Sequence, residues 1–529
     1  MLPISKLNFG FGDAENYKNK ESKELFNSIF LRTQELEKLC DSNINFLLGE
    51  KGTGKTAYAM YMVNTAFRNN ISSIKYIRET EYQKFLILKK EKHLTLSDYA
   101  DIWKVIIYLL IAEEINRTDF AREITGGLIG FRNLRKAIEE YYNNAFSPEI
   151  IYAINFAEQS KIAAEIMAKY FKTSADKSET TSFSESKFQL NLLYIQRKFE
   201  DTFSSLRLKR NHILFIDGID IRPEGIPFED YLECVKGLAN AVWMINTDFF
   251  SRIKSSEGRL RVVLLLRPDI FQSLGLQNQG NKISDNSILL DWRTNYPTYR
   301  DSALFAMTDR LLAAQQNTPL ELGQSFDYYF PYEAIDHRTK ERKDSPFVTF
   351  LRFSLFRPRD IVCMLKNLQD NFIVQRRGEK ELFREKDFDS PVFRRKHSEY
   401  LLTQIKDHLS FYHSSADYEL FLKFFEYLNG NFGFTYAQFI VSYGELVRYL
   451  EENSIKKPMF FETPDKFLQF LFDMNVICYI EDSIKGPYIN WCFRERSYAN
   501  LFPKVKLGLR YEIHYGLGKA LNVGQSFLK

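Results

Sequence analysis

The sequence predicts an α/β fold: a parallel sheet with a long helical insertion, followed by a helical region and a smaller C-terminal domain. Three observations predict it. Five short strand-like runs, at 44–48, 73–80, 213–216, 262–266 and 287–292, alternate with stretches whose apolar residues recur at helical spacing, as a parallel sheet requires. The run 262–266 is Val-Val-Leu-Leu-Leu, uninterrupted in the way of a strand buried on both faces. The first run breaks into a glycine-rich loop that becomes a helix, NFLLGEKGTGKTAYAM at 45–60.

That loop reads Gly49-x-x-x-x-Gly54-Lys55-Thr56, the full Walker A pattern. Gly49, Gly52 and Gly54 permit tight turning, so backbone N–H groups can face phosphate oxygens. Glu50, Lys51, Thr53 and the early helical Ala57 complete the cradle. Lys55 is placed to reach the β- and γ-phosphates of ATP, and the Thr56 hydroxyl to ligate Mg²⁺. A helix over 56 to about 67 sets its N-terminal dipole against the phosphates.

The metal needs a second acid at the end of another buried strand. The stretch HILFIDGIDIRPEG at 212–225 supplies Asp217, just past the strand 213–216. In an open parallel sheet that edge is where ligands bind. Asp217 is therefore the expected partner of Thr56 on Mg²⁺. Many ATPases place Glu immediately after this acid, but here the position is Gly218. Two acids compete to orient the attacking water: Asp220, three residues on, and Glu79, at the end of the run 73–80. Asp220 also has the position of a turn cap. Arg267 follows the run 262–266 on the same edge, where it can sense the γ-phosphate or pair with Asp269.

In order, the runs are a P-loop strand, a second strand, a strand ending in Asp217-Gly-Ile-Asp220, and one ending in Arg267-Pro268. This resembles the additional-strand P-loop ATPases, on their AAA+/STAND side. More narrowly, the chain resembles a bacterial family of FunZ-like P-loop ATPases. The pieces that carry the likeness are LNFGFGDAE (7–15), LLGEKGTGKTA, FIDGID, LLLRPDIF, SLFRPRDIV (354–362) and YEIHYGLGKAL (511–521). The resemblance implies a P-loop NTPase sheet, an α-helical lid and a nucleotide-driven switch, with a role in antiphage defence. It also implies that Arg357 or Arg359, in front of a helix starting near Asp360, reaches back to the phosphates. Both arginines can instead pair with nearby acids. NACHT-type relatives carry a further acid at 220–221, so Asp220-Ile221 departs from their pattern and implies slow turnover. Such sites are often completed by a neighbouring copy's arginine, for which Arg293, Arg300 and Arg310 are candidates.

Around the site, residues 1–42 read as a loop and then one helix over 22–40, with 9–15 folding over the adenine or capping the domain. The ATPase core spans 43–295, with a mostly helical insertion at about 83–210. Within the insertion, 173–187 is Ser/Thr-rich and reads as an exposed loop. The lid covers 296–375. The remainder, 376–529, is helical with a hairpin at NVICYIED and GPYINWCF and a closing helix at LRYEIHYGLGKAL. Helices plus a terminal hairpin describe a winged-helix-like domain. Its basic residues Arg494, Arg496, Lys504, Lys506, Arg510 and Lys519 allow DNA binding or packing on the lid.

Composition sets the outer bounds. A chain of 529 residues exceeds one ordinary core. Net charge is 72 − 68 = +4 over the whole length, which neither demands nor excludes nucleic acid. The five cysteines lack CxxC spacing and the seven histidines form no HExxH, so neither a disulfide framework nor a zinc site is expected. No signal segment is visible, and the run VIIYLLIA at 105–112 is too short to span a bilayer. The expectation is a cytoplasmic, oligomeric, Mg²⁺-dependent ATPase. Its rivals are a DNA-dependent motor or loader and a non-hydrolysing scaffold that presents an effector protein.

Overall fold

A computed structural model describes residues 1–77, 96–117, 133–134, 136–138, 185–222, 226–254, 256–335, 343–375, 381–484, 486–497, 500 and 502–524. The chain forms two compact units. One contains Gln34–Leu48 and Lys55–Leu289; the other contains Met1–Thr33, Gly49–Gly54 and Leu290–Lys529.

The first unit is built on a five-stranded, fully parallel sheet in the order β2-β3-β4-β1-β5. The strands are β1 (Phe46–Leu48), β2 (Asn70–Tyr76), β3 (Asn211–Asp217), β4 (Leu260–Leu266) and β5 (Ser287–Leu289). All five answer to the predicted runs, with shifted ends. β2 begins three residues early and ends at Tyr76; β5 ends at Leu289 instead of 292. Every residue of β1 and β4 is buried, so continuous apolar runs mark them. β4 stands between β1 and β3, which places one strand between the P-loop strand and the strand of Asp217.

Helix Lys55–Thr65 follows the glycine loop. Of the insertion 83–210, two long helices are described, Leu96–Arg117 and Glu185–Ser205. The run 105–112 lies in the first, with Val105, Ile107 and Tyr108 almost fully buried. The Ser/Thr-rich stretch 173–184 lies outside the described residues. Helix Phe228–Met244 packs on Leu96–Arg117. Gly237 makes the approach possible, because a Cβ there would meet Tyr99 Cβ at 2.5 Å. The turn Ile245–Phe249 then widens to π-helical geometry. It delivers Asn246, whose amide bonds Asn45 Oδ1 (2.8 Å) and both backbone groups of Val262.

In the second unit, the expected helix over 22–40 is not continuous. Helix Lys20–Ile29 ends where Phe30 turns extended, with φ −64° and ψ 127°. Phe30 is buried and packs edge-on against Phe26. The second piece, Gln34–Lys38, belongs to the sheet unit. After β5 come helices Ala303–Ala313, Gln324–Tyr329 and Pro346–Phe353, with β6 (Ala334–Ile335) pairing β7 (Lys343–Asp344). Helix Pro358–Gln375 begins at its proline, where the missing N–H costs nothing. Ahead of it, Phe356 adopts φ 55°.

The C-terminal part packs helices Pro391–Tyr412, Ser415–Glu426, Tyr436–Glu452 and Pro464–Asp473 around one aromatic-rich core. Phe421, Phe424, Phe439 and Phe467 are fully buried in it. A four-stranded antiparallel sheet completes this part, in the order β10-β9-β11-β8. Its strands are β8 (Gly433–Thr435), β9 (Ile477–Ser483), β10 (Gly486–Trp491) and β11 (Arg510–Ile513). The predicted hairpin is β9–β10. The predicted closing helix is instead strand β11 and a short 3₁₀ turn, Tyr515–Leu517. Tyr511 and Ile513 alternate into the core, and both edges of β11 are paired, to β9 and β8. That tertiary pairing overrides the helical spacing of the stretch. No helix among the described residues is long and apolar enough to cross a membrane.

Candidate functional site

At the C-terminal edge of the parallel sheet, β3 ends at Asp217 and the helix after the glycine loop begins at Lys55. The Thr56 hydroxyl donates to Asp217 Oδ2 at 2.6 Å. Gly218 N–H donates to Asp217 Oδ1 at 2.8 Å. Lys55 Nζ pairs with Asp220 Oδ2 at 3.4 Å, and its side chain is only 6% exposed. The structure thus brings together Lys55, Thr56, Asp217 and Asp220. Burial pushes the Asp217 carboxyl above its ordinary pKa. Asp220 adds to the rise, while the Thr56 hydroxyl, Lys55 and the Gly218 N–H oppose it. A buried acid of this kind gains from a cation. Asp220 Oδ1 is a buried oxygen with no hydrogen-bond partner among the described residues. Such an orphan fits a site that takes a water or a metal-bound ligand.

Gly218 has a reason to be glycine. Its φ is +91°, and a Cβ would stand 2.9 Å from the Ile77 carbonyl oxygen. A glutamate directly after Asp217 would be strained at this φ and crowded by that oxygen. Glu79, the rival acid, lies outside the described residues. Arg267 is 1% exposed and makes a two-pronged pair with Asp269, Nε to Oδ1 at 3.0 Å and Nη2 to Oδ2. Its guanidinium is engaged by its neighbour two residues on.

The loop Gly49–Gly54 belongs by its contacts to the second unit. Gly52 and Gly54 adopt φ +90° and +97°, the left-handed conformation that glycine allows. Carbonyl oxygens of the loop accept bonds from distant residues. Trp292 Nε1 donates to Thr53 O (2.9 Å), Arg357 Nη1 to Lys51 O (3.0 Å), and Arg359 N–H to Gly52 O (3.2 Å). Lys51 Nζ is paired with Asp407, and Glu50 Oε1 accepts from Arg496 Nη1 at 2.5 Å. Ala57 is half-buried in the helix that follows.

Arg357 is buried and forks onto Asp360, Nε to Oδ2 at 3.0 Å and Nη2 to Oδ1 at 3.1 Å. Asp360 also accepts from Leu355 N–H (2.9 Å) and Tyr400 Oη (2.8 Å). Burial works against the Asp360 carboxylate, but Arg357 and these donors outweigh it and hold its pKa below the ordinary value. The guanidinium of Arg359 reaches Gly12 O at 2.9 Å. Thus Arg357 touches the loop through its side chain, and Arg359 touches it through its backbone. The turn before them is fixed by two buried histidines. His397 Nε2 donates to Phe353 O (2.7 Å) and His514 Nε2 to Ser354 O (3.2 Å).

The candidate trans arginines are placed as follows. Arg293 pairs with Asp291 and donates to the carbonyls of Arg494 and Arg496. Arg300 pairs with Asp327 at 2.7 Å, and Arg310 is exposed on helix Ala303–Ala313. Sequence reasoning missed the roles of Trp292, Asp407 and Arg496, since nothing local to them points at the loop. No protein-family model matches the chain, and no curated protein matches it.

Proposed function

We propose that this chain binds Mg²⁺–ATP at the loop Gly49–Thr56 and hydrolyses it slowly. The observation that carries the reading is the bond from Thr56 to the buried Asp217. A hydroxyl directly after the P-loop lysine and an acid ending a neighbouring strand form the expected Mg²⁺ pair. Bound Mg²⁺–ATP supplies a terminal phosphoryl group for transfer to water. Lys55 holds the phosphates, Thr56 and Asp217 hold the metal, and Asp220 orients the water and accepts its proton. The order of the sheet, with one strand between β1 and β3, supports the additional-strand reading.

The nucleotide acts as a switch in this reading. Helix Pro358–Gln375 and its preceding turn are the lid, and their donors to Lys51 and Gly52 support that assignment. The order of three helices with β8 between the first two and a hairpin after the third supports a winged-helix-like domain. Its helix Pro464–Asp473 carries Asp465 and Asp473, and its single lysine, Lys466, is paired with Glu462. That face does not offer the cationic surface duplex DNA requires, which favours protein packing over DNA binding.

Calorimetric titration with Mg²⁺–ATP tests the binding, and phosphate release with and without duplex DNA tests the activity. Lys55→Ala should abolish binding in a folded chain. Unchanged affinity in that variant removes the phosphate-loop assignment, and strong stimulation by DNA restores the motor reading.

A further inference from the structure

Arg496 stands 446 positions from Glu50 in sequence, yet its guanidinium serves the phosphate loop directly. One arm, Nη1, donates to Glu50 Oε1 at 2.5 Å; the other, Nη2, donates to Asp473 O at 2.7 Å. Asp473 is the last residue of helix Pro464–Asp473, so the guanidinium is anchored on a helix end. Its own carbonyl accepts from Arg293. Next to Arg293, Trp292 donates to Thr53 O. Thr53, Trp292, Arg293, Arg496 and Glu50 therefore close a ring through side chains and backbone.

Glu50 is an anion within a loop of Walker A form. With Arg496 removed, less of its charge is compensated, and the carboxylate opposes a polyphosphate through a partly buried medium, where repulsion is stronger than in water. Arg496 and Glu50 side chains are 12% and 24% exposed, so salt screens the pair weakly. Lys51, the next residue, is neutralised in the same way by Asp407.

We infer that Arg496 is a positioning residue for nucleotide binding, which cancels the charge of Glu50 and fixes the loop from beyond the β9–β10 hairpin. This rests on the phosphate-loop reading. Nucleotide affinity then depends on the C-terminal sheet, and nucleotide binding in turn stabilises the segment around Arg496.

Titration of the full chain with Mg²⁺–ATP tests this. Arg496→Ala should bind at least about five-fold more weakly, the lower end of typical coupling. Adding Glu50→Gln to that variant should recover most of the loss, because the charge that Arg496 compensated is gone. If Arg496→Ala does not fold, Arg496→Gln keeps a donor for Asp473 O while removing the charge, and carries the same comparison. Wild-type affinity in the Arg496 variant overturns the inference, and so does a loss that Glu50→Gln leaves unrepaired. A wild-type chain that fails to bind Mg²⁺–ATP sinks the phosphate-loop reading itself. A chain that binds, loses binding on Lys55→Ala and is indifferent to Arg496 sinks only the positioning role.

Discussion

Thr56 Oγ1 lies 2.6 Å from Asp217 Oδ2, across 161 positions of sequence. A slight widening of this hydrogen bond would let one Mg²⁺ take both oxygens, since cis oxygens on an octahedral ion lie roughly 2.9 Å apart. Asp217→Asn keeps the shape and removes the charge. The Mg²⁺ dependence of nucleotide affinity should fall at least about ten-fold, as for other disturbed metal sites. The unliganded chain should not melt earlier. Burial raises the Asp217 pKa, so its ionised form is disfavoured in the fold, and that penalty grows as pH rises through the folded pKa. Asparagine carries no such penalty. An unchanged response to Mg²⁺ places the metal elsewhere.

Asp220→Asn should still bind Mg²⁺–ATP and hydrolyse it at least roughly ten times more slowly, since acid–base assistance is worth that or more. Phosphate release under single-turnover conditions is the measurement. The same loss in Glu79→Gln, with Asp220→Asn unimpaired, transfers the role to Glu79.

Gly218→Glu places an acid where many ATPases have one, and it should not accelerate turnover. The side chain would begin 2.9 Å from Ile77 O at a φ of +91°, a strain of about 1–3 kcal/mol. Gly218→Ala should lower the melting point by the same cause. Faster turnover by Gly218→Glu contradicts the steric account.

Asp360→Ala leaves the Arg357 guanidinium buried without its carboxylate. Losing one partner of such a pair costs about 3–5 kcal/mol, read as a large fall in the calorimetric midpoint. The pair also sets an acid limit. The Asp360 pKa is held below its ordinary value, so its contribution is full above about pH 4 and is lost as pH falls through the folded pKa.

His514 gives the second pH dependence, with the opposite origin. Burial lowers its pKa to about 3, so the native state keeps it neutral while the unfolded chain protonates it below about pH 6.5. Unfolded chains then bind the extra proton, and stability is lost as pH falls from about 6.5 towards 3. The slope is up to about 1.4 kcal/mol per pH unit for one histidine. Melting curves at successive pH values should flatten in His514→Gln. An identical slope in the variant assigns the effect to other groups.

The parallel sheet was legible because each strand carries its own signal. β4 is apolar along its whole length, and β3 ends at the acid that meets Thr56. Strand β11 was not legible. Its two buried residues, Tyr511 and Ile513, are too few to establish a period of two, and its identity comes from partners at 433–435 and 477–480. The break at Phe30 was hidden for a related reason, since no proline or glycine marks it and only burial against Phe26 explains it. At the site, Lys55, Thr56 and Asp217 announce themselves by spacing. The identity of Gly218 was plain but its cause was not, because the Ile77 carbonyl it accommodates is set by the sheet. Glu50 reads as part of the cradle and Arg496 as part of a basic cluster, but only the fold joins the two.

The ring that ends at Arg496 also bears on how the chain comes into being on the ribosome. Glu50 leaves the exit tunnel long before its partner is made. At about 5–20 residues per second, the 446 positions between them take roughly 20–90 s to synthesise. Throughout that time Glu50 lacks the Arg496 guanidinium it pairs with in the complete fold. If the positioning role holds, a chain stopped before Arg496 should bind nucleotide about five-fold more weakly, as expected for Arg496→Ala.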